Sequence, residues 1–240
     1  MIKVSGVYKS FNGQQVLNNI NLEIKDGELL AILGESGSGK SVFLQHLIGL
    51  RKPDRGTIEI NGVDITKLQE KELLKLRQSI GYLFQEGALY DFMSVRENVA
   101  FPLVEHTHLK PKEIQTKVDG MLAQVGLQEA GDKFPSELSG GMKKRAALAR
   151  SIILDSKILF CDEPTSGLDP IKSREISDLI KEVSRHIRCT TVITSHDIPN
   201  SFRIADRIVL IRDGRIVVQG TPDQLEAADD AFVREFLAQR

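Results

Sequence analysis

Between an apolar run of strand length, Glu28 to Leu33, and an amphipathic stretch, Ser41 to Leu50, stand the eight residues Gly34-Glu35-Ser36-Gly37-Ser38-Gly39-Lys40-Ser41. They fit the pattern G-x-x-x-x-G-K-[ST], which requires a strand before it and a helix after it. Val42, Phe43, Leu44, Leu47, Ile48 and Leu50 recur as the apolar face of a helix should. Glycines let the backbone turn with its N–H groups inward, and a new helix presents about +0.5 of a charge at its N-terminus. Lys40 adds a full charge for the outer phosphates, and the Ser41 hydroxyl can ligate Mg²⁺. These residues read as a nucleotide-phosphate site.

The rest of the chain supplies a matching frame. Residues 1 to about 66 hold short β-rich stretches, with Asn12-Gly13 and Asn61-Gly62 as tight-turn dipeptides and Thr57 to Ile60 alternating as a half-buried strand. Residues about 88 to 155 are helical in pattern, with Pro102 and Pro111 expected to break the segment early. From 157 to 212 the texture alternates: strand (Lys157 to Cys161), helix (Ile171 to Ile187), strand (Thr190 to Thr194), helix (Ile198 to Ala205). Such alternation argues for a parallel sheet covered on both faces. Arg207 to Ile211, Asp213-Gly214 and Arg215 to Val218 read as a closing hairpin, and Pro222 to Arg240 as one or two short helices. Leu225, Phe232, Val233, Phe236 and Leu237 supply the apolar face of that last segment.

With 240 residues, 41% hydrophobic and 27% charged, the chain can bury a full core. Its net charge of −1 provides no sequence-wide attraction to nucleic acid or anionic lipid. Cys161 and Cys189 both lie at apolar runs and read as core thiols in a reducing compartment. No run approaches a membrane span, and the N-terminus lacks a signal peptide's apolar core. The expectation is a cytoplasmic protein unless a partner holds it at a membrane.

A second acidic site narrows the chemistry. Ile158-Leu159-Phe160-Cys161-Asp162-Glu163 is an apolar strand ending in two carboxylates. In parallel sheets ligand chemistry collects at the strands' C-terminal edge. There Asp162 can hold a Mg²⁺ shell, and Glu163 can orient and deprotonate a water facing a γ-phosphate. A third element, Leu138-Ser139-Gly140-Gly141-Met142, precedes a helix with Lys143, Lys144 and Arg145. A helix opened by Ser139-Gly140-Gly141 is a second anion site, with nothing bulky in the way.

These motifs, in this order and over nearly the whole chain, resemble the ATP-binding subunits of ABC transporters, whose signature is Leu-Ser-Gly-Gly-Gln. The resemblance implies a P-loop NTPase of ABC ATPase type within the α/β class: a RecA-like parallel-sheet core, an antiparallel β subdomain and an inserted α-helical subdomain. It reads residues 1–240 as one such domain, with 1–87 and 156–240 forming core and β subdomain and 88–155 the helical subdomain. It further implies that Phe11 stacks on adenine, that Gln85 senses metal and γ-phosphate, and that Asp169 in Ser166-Gly167-Leu168-Asp169 crosses a dimer interface. Ser139, Gly140 and Gly141 contact the γ-phosphate of ATP held by the other subunit, and His196 is the switch histidine. Glu163 and His196 are thereby the catalytic pair, and Ser41, Gln85 and Asp162 the Mg²⁺ set. The departure is Met142 in place of glutamine, which removes an amide near the interface.

One phosphate loop and one signature imply a second copy of the chain, in a head-to-tail ATP sandwich. The stretch Gln85 to Leu103 looks like the Mla type (maintenance of lipid asymmetry), which moves phospholipid between membranes, and Leu-Ser-Gly-Gly-Met is typical of that group. The partners so implied are a multi-pass membrane permease, an MCE-domain lipid-binding protein and a STAS-domain regulator, at the cytoplasmic face of the inner membrane. Import of amino acids or other small solutes is the alternative. A non-transport ATPase is the remote one, since that class carries coiled-coil insertions, zinc-binding cysteines or paired cassettes.

Overall fold

A computed structural model describes residues 1–229 and 231–237. The chain forms two compact units, Met1–Arg77 with Thr190–Arg240, and Gln78–Cys189. In chain order, the first contributes β1 (Ile2–Phe11), β2 (Gln14–Ile24), β3 (Leu29–Leu33), α1 (Lys40–Leu47), β4 (Arg55–Ile60), β5 (Val63–Asp64) and α2 (Glu70–Arg77). The second contributes β6 (Ile80–Leu83), α3 (Val95–His106), α4 (Pro111–Gln124), α5 (Gly140–Ile152), β7 (Ile158–Asp162) and α6 (Pro170–His186). The chain then returns to the first with β8 (Thr190–Ser195), α7 (Ile198–Ile204), β9 (Arg207–Arg212), β10 (Arg215–Gly220), α8 (Pro222–Glu226) and α9 (Ala231–Leu237).

In the first unit an antiparallel sheet runs β2-β1-β4-β5. Its hairpins turn where the dipeptides stand: Asn12 and Gly13 have φ of 49° and 81°, Asn61 and Gly62 of 51° and 80°. Two successive positive φ values are what a type I′ turn demands, which is why Asn-Gly occupies both. A separate run of strands has β3 parallel to β8 on one side and to β9 on the other, with β10 antiparallel to β9. Every residue of β3 and of β8 is buried, as expected of parallel strands covered on both faces. The β9–β10 turn is Asp213-Gly214, again with both φ positive. Beyond it, Leu225, Val233 and Phe236 are buried. The side chains of Phe232 and Leu237, and residues 238–240, lie outside the described residues.

In the second unit β6 and β7 pair in parallel, Ile80 opposite Ile158 through Leu83 opposite Cys161. Between them lie α3, α4 and α5 and, among the described residues, no strand. Pro102 does not break the segment; it lies inside α3. An interior proline removes one helical hydrogen bond and costs about 3 kcal/mol. Local and tertiary terms offset it: Ser94 and Glu97 form a reciprocal capping box, and Val95, Val99 and Leu103 are buried. Pro111 does act at a boundary, opening α4 at its first turn, where a missing N–H is harmless. Both cysteines are buried thiols. Among the described residues no helix is long and apolar enough to cross a membrane.

Candidate nucleotide site

In the first unit β3 delivers the chain to the phosphate loop and α1 carries it away. The loop backbone is drawn close to its neighbours. A Cβ on Gly34 would lie 2.3 Å from the Ile211 carbonyl oxygen of β9. Gly39, at φ 100° ahead of α1, would place one 2.9 Å from the Val16 carbonyl of β2. Only glycine fits either position. Gly34, Glu35, Ser36, Gly37 and Ser38 line one wall of an open cavity whose other wall is Leu210 to Asp213 and Phe236. Lys40 is buried, and its Nζ donates to the carbonyls of Gly34 (2.8 Å) and Glu35 (3.0 Å). Ser41 follows on the first turn of α1. The Ser38 hydroxyl is buried with no hydrogen-bond partner. Buried hydroxyls without partners are rare, so an orphan inside this loop fits a group that meets a phosphate oxygen.

Phe11 ends β1 half-buried, with the Lys9 ammonium 5.4 Å and the Arg51 guanidinium carbon 5.1 Å from its ring centroid. His196 follows β8 and is exposed. A histidine that sequence reading passed over, His46 of α1, is 1% exposed. Its Nδ1 lies 2.7 Å from the Val42 carbonyl, while Nε2 has no partner. Burial, then the charges of Lys9 and Arg51, hold its pKa below the ordinary histidine value.

The second unit assembles the acidic site, the glutamine and the signature. Asp162 ends β7 and is buried, and the Tyr82 hydroxyl of β6 donates to its Oδ2 at 3.4 Å. Burial, then the Asp162 charge, drive the Tyr82 pKa up, so the phenol keeps its proton. Glu163 is buried at φ 46°, a left-handed conformation that costs a non-glycine residue about 1–3 kcal/mol. Its carbonyl accepts from Ser166 N at 3.1 Å, which closes the turn. Gln85, exposed after β6, donates from Nε2 to Ser166 Oγ at 3.2 Å.

Ser139 caps α5, its Oγ accepting from Met142 N at 3.3 Å. The cap uses the Met142 backbone, so the methionine side chain leaves it intact. Leu168 packs on the signature: a Cβ on Gly140 would sit 3.2 Å from its Cδ2. Asp169 caps α6, accepting from Lys172 N at 3.0 Å and pairing with Lys172 Nζ at 3.0 Å. Those two partners, the backbone N–H first, lower its pKa.

Three polar residues without a role in the sequence reading hold the segment after Gln85. Lys144 Nζ donates to the Gln85 carbonyl. Arg150 Nη2 donates to the carbonyls of Gly87 (3.0 Å) and Ala88 (2.8 Å). Asn98, wholly buried, accepts from Tyr90 N at 2.8 Å and places its amide nitrogen 3.0 Å from the Tyr90, Met93 and Ser94 carbonyls. Burial lowers the Lys144 pKa, against the opposing charges of Glu86 and Glu163. One signal was present: each falls within an apolar stripe of its helix, where a polar residue must find an acceptor or donor.

The family described as ABC transporter matches residues 17–166. The chain is 44% identical over 236 residues to the "Probable ribonucleotide transport ATP-binding protein mkl" of Mycobacterium tuberculosis, covering 98% of this chain and 66% of that one. It thus spans about two thirds of the length of that relative. It is 40% identical over 237 residues to the "Intermembrane phospholipid transport system ATP-binding protein MlaF" of Haemophilus influenzae, covering 99% and 90%. A solved dimer, the "post-hydrolysis state of the ATP-binding cassette MJ0796 bound to ADP and Pi", superposes with a TM-score of 0.85 at 31% identity, covering 92% and 99%.

Proposed function

The chain belongs to the ABC transporter family, and from that premise we propose that it binds and hydrolyses ATP to drive phospholipid movement between membranes. The observation that carries the lipid reading is mutual coverage. The phospholipid-transport relative and this chain match over 90% and 99% of their lengths, whereas the more identical mycobacterial relative extends well beyond the match. The docking stretch Gln85 to Leu103 and Met142 in the signature support the same assignment.

The residues fit the nucleotide. Phe11 presents a ring for adenine, and the glycine loop, Lys40 and Ser38 present donors to phosphates. Ser41, Gln85 and Asp162 offer only hard oxygen ligands, the set that Mg²⁺ prefers. Bound there, Mg²⁺ would neutralise phosphate charge. The protein's own groups do the remainder: Glu163 directs a water at the γ-phosphate, and His196 stabilises charge as it builds there. Ser139, Gly140 and Gly141 take the γ-phosphate of ATP held by a second copy, and Asp169 fixes the start of α6 beside that contact. ATP therefore closes a homodimer and hydrolysis reopens it.

The permease, an MCE-domain protein and a STAS-domain regulator are the expected partners, at the cytoplasmic face of the inner membrane. The test is to express tagged Glu163→Gln in the native host, solubilise membranes with ATP and identify what co-purifies. A permease with an MCE-domain protein and phospholipid supports the reading. A permease with a solute-binding protein, or one loaded with ribonucleotide, replaces it.

A further inference from the structure

The backbone that leaves β6 is gripped from a single direction. Three of its carbonyls, those of Gln85, Gly87 and Ala88, accept from two cations, Lys144 and Arg150, and both cations belong to α5. Between them on the same face lies Ala147, whose Cβ would be 3.2 Å from a Cβ on Gly87. Residues 144, 147 and 150 are spaced by three, so they form a continuous row along the helix. Gly87, at φ 77°, lets the segment lie flat against that row.

The grip is costly enough to ask what it does. Lys144 is 7% exposed, and an ammonium taken out of water is strongly destabilising without an acceptor. The Gln85 carbonyl is that acceptor, and a main-chain atom cannot rotate away as a side chain can. Arg150 adds two bonds from Nη2 to successive carbonyls, donates from Nη1 to Asn98 Oδ1 at 3.4 Å and places its guanidinium 5.4 Å from the Tyr90 ring. Tying a turn to a helix for stability alone would require no buried charge; the packing of Ala147 at Gly87 already does that.

The other end of α5 is the signature. Ser139 caps it, and Gly140 and Gly141 form its first turn. Lys144 lies one helical turn further on, about 6 Å along the axis from Gly140. Over such a distance an α-helix is stiff, so a shift at Ser139–Gly141 is a shift of the Lys144 ammonium and of the carbonyl it holds.

We propose that Lys144 is a positioning residue for Gln85, locking the Gln85–Ala88 backbone to α5 together with Arg150, so that the signature and the glutamine move as one body. The inference rests on the reading of Gln85 and Ser139–Gly141 as parts of one ATPase cycle. It assigns to Lys144 a role in timing hydrolysis and none in holding nucleotide.

The test uses the full chain and measures ATP affinity, kcat and thermal midpoint for Lys144→Met, Lys144→Arg, Gln85→Ala and the Lys144→Met/Gln85→Ala double variant. Misplacing a group near the chemistry by an ångström costs up to about a hundredfold in rate. Lys144→Met is therefore expected to lower kcat by about tenfold or more while ATP affinity changes by less than about twofold. Lys144→Arg, which keeps a donor on a long stem, recovers most of that loss. The double variant is no slower than Gln85→Ala, because Lys144 acts through Gln85. Native turnover in Lys144→Met, no recovery by arginine, or losses that multiply in the double variant would each overturn the proposal. Arg150→Lys, which keeps the charge but loses the planar guanidinium that reaches both carbonyls and Asn98, serves if Lys144→Met does not fold, and must show the same non-additivity with Gln85→Ala. Normal hydrolysis by Glu163→Gln would instead remove Glu163 as the base, and no hydrolysis by the native chain would remove the ATPase reading itself, whatever happens at Lys144.

Discussion

The ammonium of Lys40 donates to the carbonyl oxygen of Gly34, 2.8 Å away at the opposite end of the same loop. With the second bond to Glu35, one side chain spans the glycine turn and braces it. Lys40→Met removes both this brace and the charge offered to phosphate. A hydrogen bond to a charged group contributes about 1.5–3 kcal/mol, so ATP should bind roughly tenfold to a hundredfold more weakly. Titration calorimetry would check it, and an unchanged dissociation constant would rule out the phosphate role.

Gly34 faces the Ile211 carbonyl so closely that no Cβ fits. Gly34→Ala must push β9 and the loop apart, an overpacking cost of about 1–3 kcal/mol. Urea denaturation should report that loss along with weaker ATP binding. A variant as stable as the native chain would contradict the close approach.

Glu163→Gln keeps the shape of the turn and removes the base. Loss of a general base slows reactions by about 10²–10⁴-fold. The variant should bind ATP, turn over at a small fraction of the native rate and accumulate as a dimer in size-exclusion chromatography with light scattering. Dimer formation without ATP, or none with it, would count against the sandwich.

Acid should weaken the first unit through His46. Its folded pKa lies below the ordinary value of 6.5 because of burial and of Lys9 and Arg51, with the Asp54 carboxylate and the Lys52 backbone also facing the group. Stability from a depressed pKa is complete above the unfolded value and is lost as pH falls from there through the folded one. Thermal midpoints of the native chain should therefore drop below about pH 6.5. His46→Leu, filling a site where Nε2 has no partner, should flatten that drop. Parallel pH curves for the two proteins would exclude His46 as the source.

Asn98→Ala leaves the Tyr90 N–H without its acceptor inside the protein. An unmade buried hydrogen bond costs about 1–3 kcal/mol. Faster amide exchange at Tyr90 and Ser94 than at β7 would locate the damage; uniform change would point to global destabilisation alone.

The phosphate loop, the Asn-Gly and Asp-Gly hairpins and the strand–helix alternation were all legible because each depends on neighbours within a few residues. A positive φ selects glycine or asparagine locally, and a helix N-terminus follows its strand by a fixed short loop. Pro102 was misjudged because the rule that proline breaks a helix counts only local hydrogen bonds. The capping box at Ser94 and the burial of Val95, Val99 and Leu103 outweigh it. Lys144, Arg150 and Asn98 had no role in the sequence reading because their partners are backbone atoms of other turns, and an apolar stripe shows that a polar residue needs a partner without naming which one.

Pattern and chemistry along the chain were thus enough to establish an α/β nucleotide-binding protein with a signature helix, since turns, caps and phosphate cradles are local and recur at set spacings. Which buried cation answers which carbonyl, and that Gln85 hangs from the same helix that Ser139 begins, emerged only on folding. Those pairings join residues 59 or more positions apart, and packing alone selects among the acceptors a buried charge can reach.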